Sequence, residues 1–75
     1  MRKFRIVSHA VEGDKTDTLS VRGICAGPHY AAGEYIGLHH AGYRFTGGLQ
    51  YEKPNLWTGE AYNDTHGVKL YIYEE

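Results

Sequence analysis

The chain has 75 residues, a formal net charge of −1 and a single cysteine. That length fits one small domain spanning 1–75, and a lone cysteine excludes an internal disulfide staple. Eight Lys/Arg against nine Asp/Glu exclude a protein that holds nucleic acid by massed positive charge, and equally a DNA mimic built of massed carboxylates.

The chain opens MRKFRIVSHAV. The start is basic, but the apolar run is short and broken by Ser8 and His9, so it does not read as a signal peptide. No run approaches a membrane span. A cytoplasmic protein is expected, in keeping with the single thiol. Ten residues are aromatic: seven Tyr, two Phe and Trp57. Tyrosine joins an apolar body to a polar tip, so such a protein can cover a core and still present an adhesive face.

Lys3 to Val11 alternates, with Phe4, Ile6 and Ser8 on one side and Arg5, Val7 and His9 on the other, which is strand periodicity. Glu12-Gly13-Asp14-Lys15 is turn chemistry. Thr18 to Cys25 alternates again, with Leu19, Val21 and Cys25 sharing a face, and the two segments predict an antiparallel hairpin.

Residues 28–47 admit two readings. In the first, Ala41-Gly42 is a two-residue turn, and Ile36, Leu38, Tyr43 and Phe45 fall on one face of a second hairpin. In the second, Pro28 opens a helix over about 28–40 and Gly42 follows its end. The hairpin is favoured because Gly33 and Gly37 would each cost a helix about 1 kcal/mol relative to Ala.

Leu49 to Tyr51 continues a strand, which Lys53-Pro54-Asn55 ends. Residues 52–67 show no sustained period and read as a long, irregular, functional loop. Val68 to Tyr73 is the clearest strand, with Val68, Leu70 and Ile72 inward and Lys69, Tyr71 and Tyr73 outward. The fold expected is mainly β: a small antiparallel sheet or partly closed barrel of about five strands, or, as the alternative, α+β with one helix near 28–40. An open sheet this small needs a cover for its second face, and the outward Tyr71–Tyr73 pair makes a second copy of the chain one candidate for it.

Reactive clusters are not legible. The five histidines (His9, His29, His39, His40 and His66) lack the paired spacing of a zinc site and read as solvent-facing or turn residues. Cys25 reads as a small buried hydrophobe. Ser8 and Ser20 sit in no nucleophile elbow, and GPHYAAGEYIG is not a phosphate loop. Glu34, Glu60 and Asp64 read as solvated carboxylates, and the sequon Asn63-Asp64-Thr65 as chance. No metal and no cofactor is expected.

The expectation is therefore a non-enzymatic module that binds another protein, with Trp57 and Tyr62 as anchors and Tyr43, Arg44, Asn55, Glu60 and Asp64 around them; for Trp57 the equal alternative is that it folds back with Leu56 to cap the open face of the sheet. Its size and composition resemble those of small inhibitory proteins, such as phage-encoded blockers of host defence or transcription. The alternatives are a small-ligand site and a nucleic-acid platform of Tyr43, Arg44, Lys69 and Tyr71.

Overall fold

Strands β1 (Arg2–Ala10) and β2 (Lys15–Val21) form the expected hairpin in the computed structural model, which describes residues 1–23, 26–45 and 47–75. Gly13, at φ 125°, supplies the left-handed backbone that the turn between them requires. The second strand stops at Val21, short of the predicted Cys25, and the role expected for Cys25 lies outside the described residues.

Residues 28–39 are helical, which overturns the favoured hairpin. Helix α1 runs Pro28–His39; Pro28 stands in its first turn and Gly27 is an extended N-cap. The His40 amide closes on the Ile36 carbonyl at 2.8 Å, and Gly42, at φ 94°, turns the chain away. The helix was hard to see because its two faces differ little. Ala31, Ala32, Tyr35 and Ile36 are buried, while the other side carries exposed Tyr30 and Leu38 with Gly33 and Gly37. Packing of the inner stripe outweighs the glycine cost, as tertiary contact does for most helices.

The supposed 52–67 loop is mostly strand. After the two-residue β3 (Arg44–Phe45) come β4 (Gln50–Lys53), β5 (Leu56–Tyr62) and β6 (Gly67–Glu74). A tight turn at Pro54-Asn55 joins β4 to β5, with Asn55 at φ 66°. Gly59 obscured the β5 period. It takes the place of an apolar residue on the inner face because Leu49 lies over it; a Cβ there would stand 2.5 Å from Leu49 Cδ2.

All six strands form one antiparallel sheet in the order β2-β1-β6-β5-β3, with β4 also pairing β5, and the sheet is open rather than a barrel. In register, Ile6 and Trp57 flank Ile72, Ser8 and Gly59 flank Leu70, and Ala10 and Ala61 flank Val68. The helix lies on β2, β1 and β6. Phe4, Ile6, Leu19, Val21, Ala61, Val68, Leu70 and Ile72 close with the helix's buried stripe into the core. Arg2 clamps the chain ends: it donates twice to Glu74 at 2.8 Å and once to the Ala26 carbonyl at 2.7 Å. Glu74 is accordingly held below the usual carboxylate range by Arg2.

Candidate functional site: the uncovered face of the sheet

Strand alternation gives the sheet two unlike faces. The helix-covered face contains one polar group of note. Ser8 Oγ, fully buried between Ile6 and Ala10, lies 2.7 Å from Tyr35 Oη and 2.8 Å from His40 Nε2. His40 Nδ1 lies 3.3 Å from Glu12, which also accepts from Tyr43 Oη at 3.1 and 3.2 Å. Glu12 is held below its ordinary range, first by its own backbone amide and then by Tyr43 and His40, so it is an acceptor only. With Glu12 as the acceptor, His40 Nδ1 donates to it; in the neutral ring Nε2 then accepts from Ser8, and Ser8 accepts from Tyr35. Burial raises the Tyr35 phenol, which keeps it a donor.

The order Ser8–His40–Glu12 places a hydroxyl, an imidazole and a carboxylate at the spacing of an activated nucleophile. Here, however, Ser8 has no accessible surface and its oxygen is already taken by Tyr35. No substrate atom reaches it without opening the core, and the chain of bonds acts as a strut between β1 and the end of α1. His40 is 2 % exposed, which corrects the expectation of a solvent-facing or turn residue. His39, beside it, donates to Asp17 at 2.7 Å on the rim, while Lys15 donates to the His39 carbonyl. Among the described residues, no three His, Cys, Asp or Glu side chains converge as a metal site requires.

The helix does not pack on the opposite face, and only at its β5 side is it covered, where Glu52 lies over Thr58 and leaves it 6 % exposed. Its rows follow from register: Arg5, Tyr73 and Leu56; then Val7, Tyr71 and Thr58; then His9, Lys69 and Glu60. Arg5 stands over the Tyr73 ring at 4.4 Å, Lys69 over Tyr71 at 5.9 Å, and His9 meets Tyr71 edge-on at 5.6 Å. Arg5, Val7, Leu56, Lys69, Tyr71 and Tyr73 are all half-buried by their neighbours alone. Antiparallel sheets often leave one face wet. What distinguishes this one is an aliphatic and aromatic centre with charges of both signs at its flanks.

The seven residues singled out in the sequence do not form one cluster. Arg44 pairs with Tyr62 at one end of β5; Tyr62 lays its ring against Gly67 and is 42 % exposed. Gly42, Arg44, Tyr62, Asn63 and Asp64 line a shallow cleft of about 220 Å³ there. Asn55 lies at the other end of the strand, about 20 Å away for seven residues of strand; its carbonyl accepts the Glu74 amide. Trp57 points to the covered side and packs edge-on against Phe4 and Tyr51 at 6.3 and 5.7 Å. Tyr43 is held by Glu12, and burial raises its phenol. Glu60 alone lies within the uncovered rows, with Arg44 and Tyr62 continuing them at the corner. Tyr71, Tyr73 and Arg5 were missing from that set, although the outward period of VKLYIY carried the signal for the two tyrosines.

No helix among the described residues is long and apolar enough to cross a membrane. Comparison with protein-family models, with curated proteins and with solved structures finds no match.

Proposed function

We propose that this protein is a non-enzymatic protein-binding module whose contact surface is the uncovered sheet face. The supporting observation is the band of Val7, Leu56, Tyr71 and Tyr73 across the middle of that face, flanked by Arg5 and Lys69. Tyrosine and arginine are the residue types that dominate interface energetics, and a rigid sheet presents them with little left to order on binding. Mixed charge favours a polypeptide over a nucleic acid. Glu60 stands opposite Lys69, Glu75 lies 3.4 Å from Arg5, and Glu52 accepts from Thr58, so a phosphate chain would meet carboxylates across the platform. A binder of this kind acts by occupation, as an inhibitor of a larger complex would.

Photo-crosslinking in cells tests this reading. A photoreactive phenylalanine analogue at position 71 is expected to capture a polypeptide, and the same probe at Glu34, on the outer side of the helix, is not. Absence of an adduct from position 71, or an adduct removed by nuclease, would refute the reading.

A further inference from the structure

We infer that residues 47–49 form a strap latched across the sheet edge by His29, and that acid releases the strap by protonating that imidazole. The device does not depend on what the uncovered face binds.

The strap crosses a gap in the edge. β5 pairs with β3 through Ala61 and Tyr62 and with β4 through Leu56, Trp57 and Thr58, so Gly59 and Glu60 between them have no strand partner on that side. Residues 47–49 pass there on the way from β3 to β4. Gly47 and Gly48 are exposed, whereas Leu49 is half-buried and fills the place that a side chain on Gly59 would take. The strap also divides two hollows. On one side, Gly47 and Gly48 border a polar hollow of about 240 Å³ with Glu60 and Lys69. On the helix side, Gly47 and Leu49 close an apolar hollow of about 110 Å³ with His29, Ala32 and Phe45.

One polar contact holds the strap. His29, in the first turn of α1, accepts the Leu49 amide on Nε2 at 3.2 Å, and a Cβ on Gly48 would stand 3.7 Å from the same ring atom. Among the described residues, 47–49 make no other hydrogen bond. A neutral imidazole with its proton on Nδ1 can accept that amide. An imidazolium carries N–H at both positions, so it cannot, and it sets two donors face to face. Histidine is the side chain whose ordinary charge change falls between about pH 5 and 8. The bond is therefore present on the alkaline side of the ring's titration and lost on the acid side.

The surroundings favour release. Tyr30 and Glu34 border the outer side of His29, and Glu34 offers the cation a carboxylate there. The strap and β3 bring only Gly47, Gly48, Leu49 and Phe45, none of which titrates. Arg2, close to Gly27 at the start of the helix, is already bound to Glu74 and the Ala26 carbonyl. Once the bond is gone, only the seating of Leu49 over Gly59 keeps the strap down. Its lifting opens the apolar hollow and the unpaired stretch of β5.

Solvent-exchange NMR of the intact chain at pH 8 and pH 5 tests the inference, with each rate taken relative to an unstructured chain at the same pH. At pH 8 the His29 ring should be neutral, with its proton on Nδ1. Protection of the Leu49 amide should fall roughly three- to tenfold at pH 5, the worth of one hydrogen bond, while the amides of β1 and β6 keep theirs. His29→Gln retains an acceptor that carries no charge, and should protect Leu49 equally at both pH values; His29→Phe should protect it at neither. Protection unchanged by pH in the wild type would overturn the inference, as would a proton on Nε2 at pH 8. So would a His29→Gln variant as pH-sensitive as the wild type, since another group would then be the sensor. Loss of protection in β1 and β6 together with Leu49 would mean global unfolding, and would overturn it too.

Discussion

The two faces of the sheet are built from alternate residues of the same strands, yet they do different work. Along β6, Val68, Leu70 and Ile72 have almost no accessible surface, whereas Lys69, Tyr71 and Tyr73 are half-buried by one another. The covered face has a complete set of partners within the chain, down to the hydroxyl of Ser8. The uncovered face has rings and cations that pack together without being enclosed. Stability should therefore follow the first set and association the second, and a substitution one residue along a strand should switch the phenotype.

The largest contrast is expected at Leu70. Leu70→Ala removes a fully buried side chain beneath the helix and should cost about 2–5 kcal/mol. A domain this small holds little more than that in total, so thermal or urea denaturation should show it largely unfolded. A melting point close to wild type would mean that the helix does not seal this face.

Ser8→Ala sharpens the contrast within the covered face. It strips the buried partner from both Tyr35 and His40, and should cost about 1–3 kcal/mol. Tyr35→Phe leaves the Ser8–His40 bond intact and should cost about 1 kcal/mol. In the double variant Tyr35 no longer has a donor to leave stranded, so the two losses should fall short of additivity in a denaturant cycle. Full additivity would show that the hydroxyls are not coupled.

Much of this division is legible in the sequence, and the rest is hidden for definite reasons. The inward and outward residues of β1 and β6 follow directly from alternation. Alternation places Ser8 on the inner stripe of β1, but nothing in the sequence brings Tyr35 and His40, on and just after the helix, to its hydroxyl. The helix is not legible because Gly33, Gly37, Tyr30 and Leu38 blur its outer face, so only the fit of Ala31, Ala32, Tyr35 and Ile36 to the sheet reveals it. β5 reads as loop because Gly59 and Thr58 break its pattern, and Leu49, supplied from another segment, fills the gap. Trp57 reads equally as an anchor or as a cap on the sheet, and its edge-on contact with Phe4, which decides for the covered side, depends on a pairing between strands more than fifty residues apart.

At the rim of the covered face, acid should act through Asp17 and Glu12. Asp17 is held below the ordinary carboxylate range, first by the hydrogen bond from His39 and then by the Thr18 amide. Glu12 is lowered chiefly by its own amide, with Tyr43 and His40 adding to it. A carboxyl depressed by folding adds stability above its unfolded value, near pH 4, and loses it as pH falls through the lower, folded value. Asp17→Asn should therefore lower the melting point at neutral pH, with the gap to wild type closing below about pH 4. A gap constant with pH would place the His39–Asp17 contact outside the folding balance.

The smallest effect on folding should come from Tyr71, the immediate neighbour of Leu70. Tyr71→Thr retains strand propensity and removes a ring that no element of the described chain encloses, so its cost should be about 1 kcal/mol or less. Its effect should appear instead as loss of the polypeptide captured by a photoreactive probe at position 73 of the same face. Comparing adjacent positions in one strand separates the two roles without relying on either variant alone. If Tyr71→Thr unfolds the protein as readily as Leu70→Ala, the outer band belongs to the core and its tyrosines are not held for a partner. If it folds normally and the capture is undiminished, the contact lies elsewhere on the surface.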